Sequence, residues 1–386
     1  MYPFSKQSIN NDDISEVIKV LKSEFLTQGP KVLEFEKKFS KFVKSKFAIA
    51  SNSGSSSLHL ACLALNIKKG DIVWTVPNTF AASANCALNC GAEVDFVDIN
   101  KQTWNIDINE LEKKLFLAKK KKKLPKAVIP VHFAGLPSDQ KKVWQLSKKF
   151  NFKIIEDASH SLGSKNEGEP IGSCKWSDIT IFSFHPTKII TTGEGGMATT
   201  NNQIYKNRMN LFRTNGITKN IKHFKYKKKN EPWYYEHQKS GFNYRMNDIS
   251  ATLGISQLKR VKKFITKRNL IAKKYKKKFE KLPITTQLVS KEKISSYHLF
   301  VIKFDLNRTK LSYKKIFNSL RKKKYYVNLH YTPLHLSPYF AKIGFKKNSF
   351  PVAEDFGKSA VSIPIYYDLD ICKVDRICSE ILRYLK

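Results

Sequence analysis

Between residues 46 and 200, short apolar runs alternate with stretches of helical character, and no other feature of the sequence limits the fold as strongly. The runs are Phe47-Ala-Ile-Ala, Asp71-Ile-Val-Trp-Thr-Val, Val94-Asp-Phe-Val, Ala127-Val-Ile-Pro-Val, Phe152-Lys-Ile-Ile and Ile179-Thr-Ile-Phe-Ser-Phe. Runs this short, separated by helix-length segments, read as buried strands joined by crossovers, which predicts an α/β domain around a largely parallel sheet. Several runs end in small or polar residues. Ligands of open α/β sheets collect at the carboxyl ends of the strands, so chemistry is expected there.

Beyond this region, Ile249, Leu253, Ile255, Leu258 and Val261 recur at helical spacing over residues 247–263, and lysine-rich helical stretches then alternate with strand-like segments such as 299–304. The expected organisation is a large α/β domain over 1–250 and a smaller C-terminal α+β domain over 251–386, entered through a bridging helix. A chain of 386 residues with 41% apolar content can bury a core in each.

Residues 1–10 hold no apolar run of signal-peptide length, and nothing approaches the roughly 18 consecutive apolar residues of a membrane span, so a soluble cytoplasmic protein with no membrane partner is expected. The six cysteines (Cys62, Cys86, Cys90, Cys174, Cys372, Cys378) form no paired CxxC or Cys/His cluster, so reduced structural thiols and no metal site are expected. A net charge of +38 could signal nucleic acid. Its lysines, however, lie in scattered short runs near residues 119–123, 227–229, 276–278 and 322–324 rather than on one face with interleaved aromatics. Solvated faces, with some attraction for a phosphorylated substrate, are the expected role, and nucleic acid is not an expected partner.

Three segments carry chemistry together. Ser183-Phe-His-Pro-Thr-Lys188, followed by Gly193-Glu-Gly-Gly196, sets one lysine just past a buried strand, between a proline turn and a glycine-rich stretch. A partly desolvated amine there has a depressed pKa and can attack an aldehyde; an ordinary surface lysine is the alternative. Glu156-Asp157-Ala-Ser-His160 ends another strand with a carboxylate, a natural partner for a protonated pyridine nitrogen. Ser53-Gly54-Ser55 opens a helical pattern, where free N–H groups and the helix dipole suit a phosphate, although such turns are also common caps without ligands. It is neither a GxxxxGK nor a GxGxxG loop.

With these segments in hand, the chain resembles the DegT-type sugar aminotransferases, fold type I enzymes that use pyridoxal 5′-phosphate, over essentially its whole length. Leu26-Thr-Gln-Gly29, Asn52-Ser-Gly-Ser55, Pro77-Asn-Thr-Phe80-Ala-Ala, Glu156-Asp-Ala-Ser-His160, the Lys188 segment, Gly193-Glu-Gly-Gly196 and Gly241-Phe-Asn-Tyr-Arg-Met-Asn247 stand in family order. The resemblance implies that Lys188 is the Schiff-base lysine, that Asp157 pairs with the pyridine nitrogen, and that Phe80 stacks on the ring. It implies that Gly54, Ser55 and Ser183 bind the phosphate, with Asn243 reaching it from the other subunit of a homodimer. His160 holds the position where many members carry Gln near the cofactor's 3-oxygen. Gln28, His185, Tyr244, Arg245 and His330 are candidates for substrate contacts.

A finer likeness, through Thr27-Gln28-Gly29, Asp157-Ala-Ser-His160 and His330-Tyr-Thr-Pro-Leu, is to the UDP-4-amino-4,6-dideoxy-N-acetyl-β-L-altrosamine transaminases of pseudaminic acid biosynthesis. It implies L-glutamate as amino donor and a UDP-linked 4-keto-6-deoxy-N-acetylhexosamine as acceptor. Thr332 stands where such members usually have lysine, and Ser-Gly-Ser where Ser-Ala-Thr is frequent. Other nucleotide keto-sugars, of perosamine, bacillosamine or 3-amino type, are the alternatives. The related sugar dehydrases carry histidine at the lysine position, so Lys188 argues for amino transfer, and a non-enzymatic nucleic-acid-binding protein rests on charge alone.

Overall fold

The computed structural model describes residues 2–226 and 231–385; the lysine run at 227–229 lies outside the described residues. Seven strands form the central sheet: β1 (Phe47–Ser51), β2 (Ile72–Thr75), β3 (Glu93–Phe96), β4 (Ala127–Val128), β5 (Lys153–Asp157), β6 (Ile179–Ser183) and β7 (Gly196–Thr200). Their spatial order is β1-β7-β6-β5-β4-β2-β3. The six apolar runs of the sequence are the six mutually parallel strands. The seventh, β7, is antiparallel to both neighbours and was hidden in the sequence, because Gly196-Met-Ala-Thr-Thr is too polar to read as a buried run.

Strand alternation divides the side chains between two faces. Ile49, Val73, Ile155, Ile181 and Ala198 join one apolar cluster with α1 (Gly54–Ala64). Trp74, Val128 and Ile154 point the opposite way into a second cluster. Ala48, Ala50, Phe182 and Met197 enter a third, with Phe35 and Phe39 of the helix Pro30–Val43 and Ala251, Ile255 and Leu258 of α2 (Asp248–Leu258). Burial on both faces is what a mainly parallel sheet requires.

The single amphipathic helix expected over 247–263 is instead two helices. Eight of the eleven residues of α2 are buried and the other three half-buried, so it has no solvated polar face, and the chain breaks at Lys259 and Arg260, where Arg260 pairs with the buried Asp13. Val261 belongs to the next helix, α3 (Val261–Phe279), which runs between two cores. Its Val261, Phe264 and Ile265 lie in the third cluster. Its Ile271, Ala272, Tyr275 and Phe279 lie in a fourth, built on the antiparallel strands Ile284–Thr286, Phe300–Phe304 and Ala360–Ile363. Arg268 sits where the two cores meet, 2% exposed, and donates to the carbonyls of Tyr297, His298 and Ile365. A buried guanidinium thus ties α3 to the segment that enters the strand Phe300–Phe304.

Candidate active site

The loop between β6 and β7 is a closed hairpin. Phe184 N–H donates to Gly195 O at 2.9 Å and Thr192 N–H to Phe184 O at 3.0 Å, while Ile189 and Ile190 are buried beneath. These anchors leave Lys188 little freedom except toward the cavity over the strand ends, which has a volume of about 590 Å³. Burial draws its amine down to about 8, against the opposite pull of Asp157. Among the described residues the amine has no hydrogen-bond partner.

Asp157, 5% exposed, closes β5 and lines the same cavity. Its carboxylate accepts from Ser83 Oγ at 2.6 Å and from Ser159 N–H at 3.1 Å, and Ser83 is backed by Thr79 at 2.8 Å. Oriented by two donors, it still has lone pairs for a ligand N–H.

The N-terminus of α1 forms the third wall. Ser53 caps it, its Oγ accepting from Ser56 N–H at 3.0 Å, and Gly54, Ser55 and Ser183 line the cavity. The walls meet so closely that side chains are excluded: a Cβ on Gly54 would lie 2.9 Å from Ser183 Cβ, and one on Gly196 only 2.3 Å from Ser53 O. Phe80, 60% exposed, stands at the mouth with its ring 6.2 Å from that of Tyr331.

Three buried histidines complete the lining. His160 accepts from Ala134 N–H through Nδ1 at 3.3 Å and meets Tyr331 Oη through Nε2 at 3.2 Å. His298 packs 4.4 Å from it, and His330 bonds Ser362 Oγ through Nδ1 at 2.8 Å. Burial first, then the charge of Lys188, takes His330 down to about 3, and burial likewise holds His160 and His298 far below the usual imidazole range. All three are neutral near pH 7.

The structure therefore brings together Gly54, Ser55, Phe80, Asp157, His160, Ser183, His185, Lys188 and His330. It does not bring Gln28, Asn243, Tyr244 or Arg245 into this chain's cavity. Gln28 is exposed in a turn at φ +56°. Tyr244 stacks on Phe242 and meets His59 of α1 at 3.2 Å. Asn243 is exposed, and Arg245 is half-buried beside it. Sequence reasoning missed Ser83, His298 and Tyr331. Tyr331 directly follows the flagged His330, and His298 precedes the strand recognised at 299–304, so adjacency to those features was the available signal.

A helix N-terminus, an oriented carboxylate and an unpartnered amine around one cavity suit a flat phosphorylated aldehyde with a basic ring nitrogen. That defines the class, the pyridoxal-phosphate-dependent transferases of fold type I. The chain belongs to the DegT/DnrJ/EryC1/StrS aminotransferase family, whose model matches residues 7–382. It is 37% identical over 372 residues to the UDP-4-amino-4,6-dideoxy-N-acetyl-β-L-altrosamine transaminase of Campylobacter jejuni, covering 96% of this chain and 94% of that protein. Among solved structures it resembles Helicobacter pylori PseC, an aminotransferase of pseudaminic acid biosynthesis (30% identity, TM-score 0.88, 99% and 98% covered). It also resembles Streptococcus pneumoniae Spr1654 in its PLP form (28% identity, TM-score 0.87, 98% and 97% covered). The chain is a sugar aminotransferase that uses pyridoxal phosphate. Among the described residues no helix is long and apolar enough to cross a membrane.

The residues present fit the cofactor, since a helix N-terminus, an oriented carboxylate and an unpartnered amine face one cavity. The amine also sets a pH dependence. Below pH 8 Lys188 is protonated and cannot attack an aldehyde, whereas above it the amine is free. Capture of pyridoxal phosphate by cofactor-free protein is expected to slow about tenfold per unit below pH 8 and to level off above it, as read by stopped-flow absorbance.

Proposed function

We propose that this enzyme transfers the amino group of L-glutamate to C4 of a UDP-linked 4-keto-6-deoxy-N-acetylhexosamine, forming UDP-4-amino-4,6-dideoxy-N-acetyl-β-L-altrosamine. The observation that carries the reading is that Lys188 and Asp157 face one cavity bounded by the N-terminus of α1. The Campylobacter relative supports the choice of sugar.

Pyridoxal phosphate, when bound, accepts the amino group from the donor and gives it up to the acceptor's ketone carbon. Lys188 holds it and, once displaced, carries the proton from Cα of glutamate; in the second half it returns a proton to C4 of the sugar. Asp157 holds the ring nitrogen protonated, Gly54, Ser55 and Ser183 bind the phosphate, and Phe80 covers the ring. His185 and His330 lie in position for the substrate side.

The assembly we propose is a homodimer. Ile14, Ile18, Leu21 and Leu33 are exposed along the N-terminal helices, an apolar surface suited to a second copy. Asn243, exposed and outside its own cavity, then reaches the phosphate of the neighbouring site, with Gln28, Tyr244 and Arg245 on the same side. Incubation with glutamate and UDP-, GDP- and dTDP-linked 4-keto-6-deoxy sugars tests the substrate. An amino sugar forming at least about tenfold faster from the UDP-N-acetyl acceptor, with its configuration read by NMR, is expected. Equal or faster amination of the GDP or dTDP sugars would overturn the assignment.

A further inference from the structure

We infer that Tyr331 is the hydrogen-bond donor of the cofactor cavity, and that it serves the 3-oxygen of the bound pyridoxal phosphate in place of His160. The inference rests on the reading that this cofactor occupies the cavity, and it follows from counting protons along three groups.

A backbone N–H can only donate, so the Ala134 N–H facing His160 Nδ1 at 3.3 Å makes that nitrogen an acceptor. Ala134 is held in place at φ +57° within the turn Phe133–Gly135, and Leu299 N–H donates to its carbonyl at 3.3 Å. His160 is 4% exposed and sits beside the amine of Lys188 and the rings of His298 and His330, surroundings that disfavour a second proton. Its one ring proton therefore lies on Nε2. That nitrogen faces Tyr331 Oη at 3.2 Å, so histidine donates and the phenol accepts. The proton of Tyr331 is left over, and among the described residues its hydroxyl meets no acceptor.

The unused proton faces the cavity. Tyr331 lines it together with Lys188, Asp157 and Phe80. Burial and the nearby Asp157 both hold the phenol above its usual range, so it stays protonated and able to donate throughout the working pH. Both nitrogens of His160 are occupied within the protein. The donor function that a residue at this position would supply directly is thus relayed one hydrogen bond further, from Ala134 through His160 to Tyr331.

Two measurements test this. In cofactor-free protein, ¹⁵N NMR of the histidine rings is expected to show His160 as the neutral Nε2–H tautomer; an Nδ1–H or doubly protonated ring overturns the proposal without any variant. In the holoenzyme, Tyr331→Phe removes a donor from an anionic oxygen. The pH midpoint of the visible cofactor band is expected to rise by about one unit and the Kd for pyridoxal phosphate by about tenfold. A variant that binds the cofactor with unchanged midpoint and affinity overturns the role of Tyr331 alone. Wild-type protein that binds no pyridoxal phosphate overturns the functional reading and the proposal with it.

Discussion

Lys188→Ala is expected to lower kcat for amino transfer by at least about 10⁴-fold while leaving the fold intact. The size follows from the two tasks proposed for the residue, covalent capture of the cofactor and movement of a proton to and from carbon, either of which alone is worth orders of magnitude. The fold is spared because the amine has no hydrogen-bond partner among the described residues, so its removal strands no buried donor or acceptor. The hairpin holds through the Phe184, Thr192 and Gly195 backbone bonds and the buried Ile189 and Ile190. Steady-state kinetics beside a thermal melt checks both halves: a variant within tenfold of wild type would remove Lys188 from the chemistry. One that loses activity together with its melting transition would make the residue structural.

Asp157→Asn is the second large effect, a loss on the order of 10³-fold in kcat. The substitution keeps the shape, with Asn Oδ1 still accepting from Ser159 N–H and its NH2 turned to Ser83 Oγ, but it removes the negative charge that, on the proposed reading, keeps a pyridine nitrogen protonated. Its neighbour gives the control. Glu156 lies at the same strand end, yet alternation turns it to the opposite side of the sheet, where Gln140, Ser177 and Thr180 bond it within the interior. Glu156→Gln is expected to lower the melting temperature while leaving kcat within about threefold. If the two variants exchanged their effects in a kinetic and melting comparison, the assignment of the site acid would be wrong.

That pair also shows how far the sequence could be read. The strand-end position along Ile154-Ile-Glu-Asp157 was enough to single out Asp157 as a candidate, because that feature is local, and the structure sets it in the cavity while Glu156 turns to the opposite side of the sheet. The same holds for Lys188, whose hairpin is bounded by Pro186 and Gly193, and for the helix start at Ser53-Gly54. Local pattern failed where tertiary packing decided. The strand β7 is buried by its place between β1 and β6 and not by an apolar run of its own, and its Gly196 is needed for the close approach of the Ser53 carbonyl. Helix α2 lacks a solvated polar face because the helices on either side of it bury most of its surface, so its apolar spacing ran on into Val261 of the next helix. Tyr331 and His298 arrive from beyond residue 290, and nothing local to them says that they meet His160.

In a chain so rich in lysine, a single amine, that of Lys188, is proposed to hold the cofactor. Reducing the holoenzyme with borohydride, digesting it and locating the pyridoxyl group by peptide mass spectrometry tests it directly. A single stoichiometric label is expected on the peptide carrying Lys188, absent from Lys188→Ala; a label spread over several lysines, or fixed on a different one, would contradict the assignment.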